Sequence, residues 1–389
     1  MSLVMEQAEE YWSRGLSSVP DKKVCASHIE DYAISLFIKR TGEKDRCDYC
    51  GRDKNVVDLD SLMIFLTDAL THFFTDPANF MQYVSSEGGY LGDFDGPWEM
   101  LENLGLSVED DYLQQDIYNS FDHSSAWADE ESSESNFKYE GWLHFKYVVK
   151  YQSRFLFNSY NSFRVGARSI SVANFLKELA FDIRKQRMLT TIDVGTPMYR
   201  CRQHCKIDDV TEAEHICSPD IKYAVQPNRM SPAGVSMFYG AFNSDITKLE
   251  TLQVEDKSRP YYTIAKFTVK DKLKLIDLSR IPYVSPFDQD KWELFDKLQF
   301  LHRFLADFSK PIMHDGQQHI EYVPTQVVTE FFRYAFAKKT DEKIDGIIYP
   351  SSKNRRQNAC VLFMDHHDSL RQLNFKKSNL VTKPIDLFK

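Results

Sequence analysis

Two close pairs of metal-type ligands stand near the amino terminus: Cys25 and His28, with two residues between them, then, after 18 more residues, Cys47 and Cys50 with the same gap. Two such pairs can close a tetrahedron around zinc while the helix-length segment between them supplies the fold. Gly51 follows Cys50 and suits the tight turn of a metal-binding knuckle. All four ligand positions are filled and no fifth group stands ready as a base, so a zinc here is expected to be structural. The alternative is three buried thiols beside an incidental histidine. A second group, Cys201, His204, Cys205, His215 and Cys217, has ligand chemistry but untidy spacing. Cys201 falls inside a strand-like run, where it would point away from its neighbours' site. The tandem His366-His367 reads as a solvated turn. With seven cysteines, an odd number, and no secretion signal, disulfides are not expected.

The second half gathers other reactive types. The run Met198-Tyr199-Arg200-Cys201-Arg202 carries arginines on one face. A loop from Pro227 to Gly234 holds Arg229 and leads into the run Ser236–Ala241, which holds Tyr239; Glu250 stands eleven residues later. Near the carboxyl end, Asp345–Ser352 sets two serines at the end of a strand, followed by Asn358 and another apolar run. By themselves the arginines could be surface ion-pair residues, and Glu250 a solvated position on an amphipathic helix.

Periodicity says what must hold these residues. Ile29, Tyr32, Ala33, Leu36 and Phe37 recur at helical spacing before the Thr41-Gly42 break, and Leu59–Phe74, Pro97–Leu104, Tyr139–Asn158 and Val172–Met188 continue the pattern. Beyond residue 190 the texture becomes short apolar or alternating runs: Met198–Cys201, Ser236–Phe242, Tyr261–Val269, Leu273–Leu278, Gly346–Tyr349 and Ala359–Phe363. Helices are expected at Trp292–Phe308 and Pro324–Ala337, the second with Pro324 near its first turn. An α-helical domain over residues 1–190 followed by an α+β domain over 191–389 is the reading, with no internal repeat.

At 389 residues, 42% hydrophobic and 27% charged, the chain has the composition of packed globular domains and not of a disordered one. No apolar run approaches the roughly 20 residues of a bilayer span, so a cytoplasmic protein without a membrane partner is expected. The net charge of −9 divides unevenly, −12 over residues 1–190 and +3 over 191–389. Between Glu87 and Glu140 fifteen acids face one lysine, Lys138, which makes this stretch a poor nucleic-acid footprint. A solvated loop, a partner-facing patch or a contact with the basic second half are the readings of the acidic segment 87–140.

The half from about Pro197 to Phe363 resembles the RES domain, named for its Arg, Glu and Ser and known as the toxin of bacterial toxin–antitoxin pairs. The matching pieces are Tyr199-Arg200, the segment NRMSPAGVSMFYGA from Asn228 to Ala241, Glu250, PTQVVTE at Pro324–Glu330, and DGIIYPSS at Asp345–Ser352. The first half, with its Cys/His pairs and the segment Trp142–Phe155, looks like the HEPN/RES N-terminal domain found fused to RES domains. The resemblance implies an ADP-ribosyltransferase-like fold that binds NAD and cleaves its nicotinamide–ribose bond, by hydrolysis or phosphorolysis, in a toxin or phage-defence effector. It implies that Arg200 and Arg229 clamp the pyrophosphate, since guanidinium forks pair bidentately with phosphoryl oxygens. Tyr239 would stack on nicotinamide, and Glu250 would stabilise the cation that develops on the ribose. Ser351 would bind NAD by its hydroxyl, with Ser352 next to it left open, and Glu330 is secondary. No Arg-x4–6-His pair occurs in residues 1–190, so the ribonuclease signature of catalytic HEPN proteins is missing and a sensing, inhibitory or oligomerising module is expected instead. An antitoxin or inhibitory partner and self-association follow as candidate partners. The rival readings are transfer of ADP-ribose to a protein or nucleic acid, and a non-enzymatic zinc-bearing interaction protein.

Overall fold

The computed structural model describes residues 11–86, 89–129, 134–157, 163–165, 168–311, 316–336, 343–351, 353–354 and 356–385. Ser352 and, within the acidic stretch, Glu87, Glu130 and Glu131 lie outside the described residues. Packing divides the chain into two compact units, Met1–Asn136 with Tyr283–Gln299, and Phe137–Pro282 with Phe300–Lys389.

In the first unit β1 (Lys23–Cys25), β2 (Glu43–Arg46) and β3 (Asp53–Asp58) form an antiparallel sheet in the order β1-β3-β2. Helix α1 (Tyr32–Thr41) lies between β1 and β2 in sequence and starts later than its apolar spacing predicts, because the Asp31 carboxylate caps it by accepting from the amides of Ala33 and Ile34. It stops at Gly42, where a Cβ would meet the carbonyl oxygens of Ile38 at 2.5 Å and Val56 at 2.6 Å. Only glycine allows the helix end to sit that close to β3. Helices α2 (Leu59–Phe73), α3 (Pro97–Asn103) and α4 (Asp111–Asn119) complete a core around Ile34, Leu66, Leu101, Leu113 and Ile117. The acidic segment is therefore not simply a solvated loop. Asp110 caps α4, and Asp116 pairs with Lys22 at 2.5 Å and accepts the Tyr49 hydroxyl at 2.8 Å. The mostly helical reading of the first half holds, and to its helices β2 adds a run of exposed charged residues with no alternation to announce it.

The second unit begins within α5 (Glu134–Tyr147), which continues as a π-helical turn over Val148–Gln152, and includes α6 (Val172–Lys185). Its eight-stranded sheet is built from β4 (Leu189–Ile192), β5 (Pro197–His204), β6 (Phe238–Ala241), β7 (Tyr261–Val269), β8 (Leu273–Asp277), β9 (Gly346–Pro350), β10 (Asn358–Leu362) and β11 (Leu373–Pro384). The order is β4-β8-β9-β10-β6-β5-β7-β11, antiparallel except for β8 with β9. Helix α7 (Ser244–Thr251) follows β6, α8 (Trp292–Phe308) and α9 (Val323–Tyr334) separate β8 from β9, and α10 (His366–Gln372) precedes β11. Along β7, Thr263, Ala265, Phe267 and Val269 are buried in strict alternation, the mark of a strand with one face in the core.

The change of texture near residue 190 marks the start of the large sheet, whereas packing divides the chain between Asn136 and Phe137. The reason is aromatic. Trp142 meets Phe304 at 5.0 Å edge to face, and Phe175 meets Phe300 at 6.0 Å, so α5 and α6 share the core of the second unit. Tyr283–Gln299 joins the first unit through Ser285, which donates to Asp31 at 2.9 Å, and through Trp292, which stacks on His72 at 3.8 Å. Among the described residues no helix is long and apolar enough to cross a membrane.

Candidate functional site

In the first unit, β1 delivers Cys25, the short turn after it delivers His28, and the tight turn between β2 and β3 delivers Cys47 and Cys50. Gly51 closes that turn at φ +66°, with its amide on the Cys47 carbonyl at 2.8 Å. The four ligand atoms lie within 4.8 Å of one another. Cys25 Sγ is 3.7 Å from Cys50 Sγ, and Cys47 Sγ is 3.5 Å from His28 Nε2. Metal–sulfur bonds of about 2.3 Å and a metal–nitrogen bond of about 2.0–2.1 Å in a tetrahedron give edges of about 3.8 and 3.5 Å, so the donor set fits. Asp110 lies 3.5 Å from His28 Nδ1 and orients the ring with Nε2 toward the sulfurs. The cluster can hold a metal.

The second Cys/His group does not converge. Both ring nitrogens of His204 are taken, by the Lys206 carbonyl at 2.7 Å and Thr263 Oγ1 at 2.8 Å, while His215 Nδ1 accepts the Thr211 amide. Among the described residues, only the first four form a metal-type cluster. His366 is no solvated turn: half-buried at the start of α10, it donates from Nδ1 to the Ser218 carbonyl at 2.8 Å, with Cys217 Sγ at 3.3 Å.

In the second unit a cleft of about 500 Å³ opens beside β5 and β6 and collects Arg200, Arg229, Tyr239 and Glu250. The strands there share a single paired position, Tyr199 with Ala241, whereas β5 pairs with β7 along its whole length. Arg200 spans the parting. Its Nη1 donates to the Tyr239 carbonyl at 2.6 Å, and its guanidinium carbon lies 5.3 Å from the centre of the Phe238 ring. Burial pulls its pKa down to about 10, which still leaves it charged at neutral pH. Among the described residues no carboxylate pairs with it.

Tyr239 faces the cleft with its hydroxyl tied to the preceding loop, 2.9 Å from Ser231 Oγ and accepting the Met230 amide. Burial holds its phenol up to about 12. Arg229 donates from Nη1 to the carbonyls of Phe308 and Lys310. Glu250, on α7, accepts a short hydrogen bond from the Ser351 hydroxyl, and that oxygen accepts in turn the amides of Lys353 and Asn354 at 3.2 Å. Ser351 is fully buried and spends its proton on Glu250. Glu330 is not among the cleft residues; burial raises its carboxyl pKa, and Arg333 opposes the shift.

Spacing alone left several contributors unmarked. Gln326 donates from Nε2 to the carbonyls of Asn228 (2.9 Å) and Ser231 (3.2 Å), and Thr325 donates to the Arg229 carbonyl. The motif on α9 thus holds the arginine-bearing loop from behind. Tyr349, in the cleft wall at the end of β9, has its phenol pKa raised by burial and by the nearby Glu250 charge. Tyr322, Gln253 and Lys353 also line the cleft and carried no sequence signal.

Family models match the chain twice, HEPN/RES N-terminal domain 1 over residues 40–163 and the RES domain over 197–379. The chain is a HEPN/RES N-terminal domain joined to a RES domain. No curated protein matches it. The RES match contains every cleft residue named above, and a RES domain points to an NAD-acting enzyme in general. The N-terminal match takes in Cys47 and Cys50 but starts beyond Cys25 and His28, and it runs through α5 into the second compact unit.

Proposed function

We propose that the RES cleft binds NAD and cleaves its nicotinamide–ribose bond, the degradative activity of a toxin or phage-defence effector. The observation that carries this reading is Arg200: a charged guanidinium in a cleft, with no carboxylate on it among the described residues and one donor spent on a neutral carbonyl. A cation kept unpaired beside a carboxylate is suited to a ligand that is anionic at one end and becomes cationic at the other. Arg200 and Arg229 take the pyrophosphate. The bond between ribose C1 and the nicotinamide nitrogen breaks, the pyridinium takes the electron pair and leaves neutral, and positive charge grows on the ribose. Glu250, oriented by Ser351, stabilises that charge where it develops. Water or phosphate then adds to C1 and loses its proton.

The Cys/His cluster is proposed as a structural zinc site, with Cys25, His28, Cys47 and Cys50 as ligands. The metal contributes folding energy to the first unit and takes no part in the cleft chemistry.

Purified protein incubated with NAD, with and without phosphate, tests the reading by the masses of the products. Free ADP-ribose or its 1-phosphate supports degradation. ADP-ribose attached to protein or nucleic acid favours transfer instead, and unconsumed NAD would reject the catalytic reading.

A further inference from the structure

Arg229 lies near two acids that could draw it out of the cleft. It lines both the cleft and a second hollow of about 380 Å³, whose walls include Asp307 and Glu321. Yet its Nη1 rests on neutral oxygens, the carbonyls of Phe308 at 3.0 Å and Lys310 at 2.8 Å, groups that the end of α8 leaves without helical partners. The acids are occupied from α5 and the turn after it. Lys146 Nζ reaches Asp307 at 2.5 Å, buried Trp142 donates to the same carboxylate oxygen at 2.6 Å, and Lys150 Nζ reaches Glu321 at 2.6 Å. The lysine side chains are 23% and 14% exposed, so water screens these pairs only in part.

We propose that Lys146 and Lys150, both within the HEPN/RES N-terminal match, are positioning residues for NAD binding. By neutralising Asp307 and Glu321 they leave Arg229 on neutral carbonyls, with its charge and remaining donors directed to the pyrophosphate. This rests on the NAD reading of the cleft. An unpaired Asp307 would compete with the ligand for the guanidinium, and that competition lowers affinity while a ligand that has won the arginine is held as before.

Calorimetric NAD binding and single-turnover cleavage on the full chain test it. Lys146→Met should weaken NAD binding about fivefold and change the saturated rate less than about twofold. Adding Asp307→Asn should restore affinity to within about twofold, because the competing charge is gone while an acceptor for Trp142 stays; in an Arg229→Ala background Lys146→Met should have no further effect. A wild-type affinity in Lys146→Met, no rescue by Asp307→Asn, or an equal loss in the Arg229→Ala background would overturn the proposal. Should wild-type protein neither bind nor consume NAD, the NAD reading fails by itself. Hydrogen exchange then decides the positioning claim: the Met230 and Ser231 amides should exchange faster in Lys146→Met and recover with Asp307→Asn, and unchanged exchange overturns it. Lys150→Met with Glu321→Gln repeats the scheme if Lys146→Met does not fold.

Discussion

At the scale of single residues, each side chain in the cleft has a distinguishable kinetic signature. Glu250→Gln keeps size and hydrogen bonding but deletes the charge, so NAD binding should stay near wild type while kcat falls about 10²-fold or more, the scale for one preorganised electrostatic stabiliser. A wild-type rate in that variant removes Glu250 from the mechanism. Arg200→Ala deletes the proposed pyrophosphate clamp, one used in ground and transition states alike, so it should raise Kd first. Arg200 also sets a pH dependence. Because burial holds its pKa at about 10, below the usual arginine value, NAD affinity should be flat from about pH 7 to 9 and fall tenfold per unit above about pH 10 as the guanidinium loses its proton. Arg200→Ala should be flat from about pH 7 to 9 and lack this tenfold-per-unit fall. Ser351 separates two roles that the sequence left merged. If it positions Glu250, as their hydrogen bond indicates, Ser351→Ala should lower kcat about tenfold with little change in Kd; a raised Kd with unchanged kcat would instead place the hydroxyl on NAD.

At the scale of elements, what could be read in advance was what periodicity and local stop signals control. The expected helix at Trp292–Phe308 and strand at Tyr261–Val269 appear with the same bounds, because one has an apolar stripe at 3.6-residue spacing and the other alternates strictly. Elements fixed by distant partners had no such signal. Strand β11 carries a mostly polar, lysine-rich sequence and exists because β7 pairs with it through a bulge near Ala265. The same distinction runs through the site. Arg200, Arg229, Tyr239, Glu250 and Ser351 could be picked out as types at a family spacing, whereas Gln326 and Thr325 act on main-chain carbonyls about 95 residues away in sequence, which spacing does not express. Gln326→Leu removes two hydrogen bonds to the arginine-bearing loop, one of them to the carbonyl of buried Ser231, and should destabilise the second unit by about 1–3 kcal/mol in urea unfolding while weakening NAD binding through the loop. Unchanged stability and affinity together would show that the loop is held without α9.

At the scale of the whole molecule, the two compact units should respond to different insults. Metal analysis of freshly purified, unchelated protein should find about one zinc per chain, and Cys47→Ser should lose it and destabilise the first unit, because a structural site lends its binding energy to folding. Metal-free protein that keeps native stability would remove that claim. The division at Phe137 makes a sharper prediction about where the chain can be cut. A fragment of residues 191–389 holds the RES match but lacks α5 and α6, and so uncovers Phe300 and Phe304, which are 1% exposed. Re-exposing two such side chains costs about 3–6 kcal/mol, a large share of the whole stability of a domain. A fragment of residues 137–389 retains α6 and most of α5, and both fragments equally lack the first unit's partners for Tyr283–Gln299, so comparing them reads what residues 137–190 contribute, these helices and the first half of β4. The longer fragment should unfold cooperatively in urea; the shorter one should unfold at much lower urea or bind a hydrophobic dye as an expanded state. Equal midpoints for the two would mean that the RES domain closes its core without the helices that precede it.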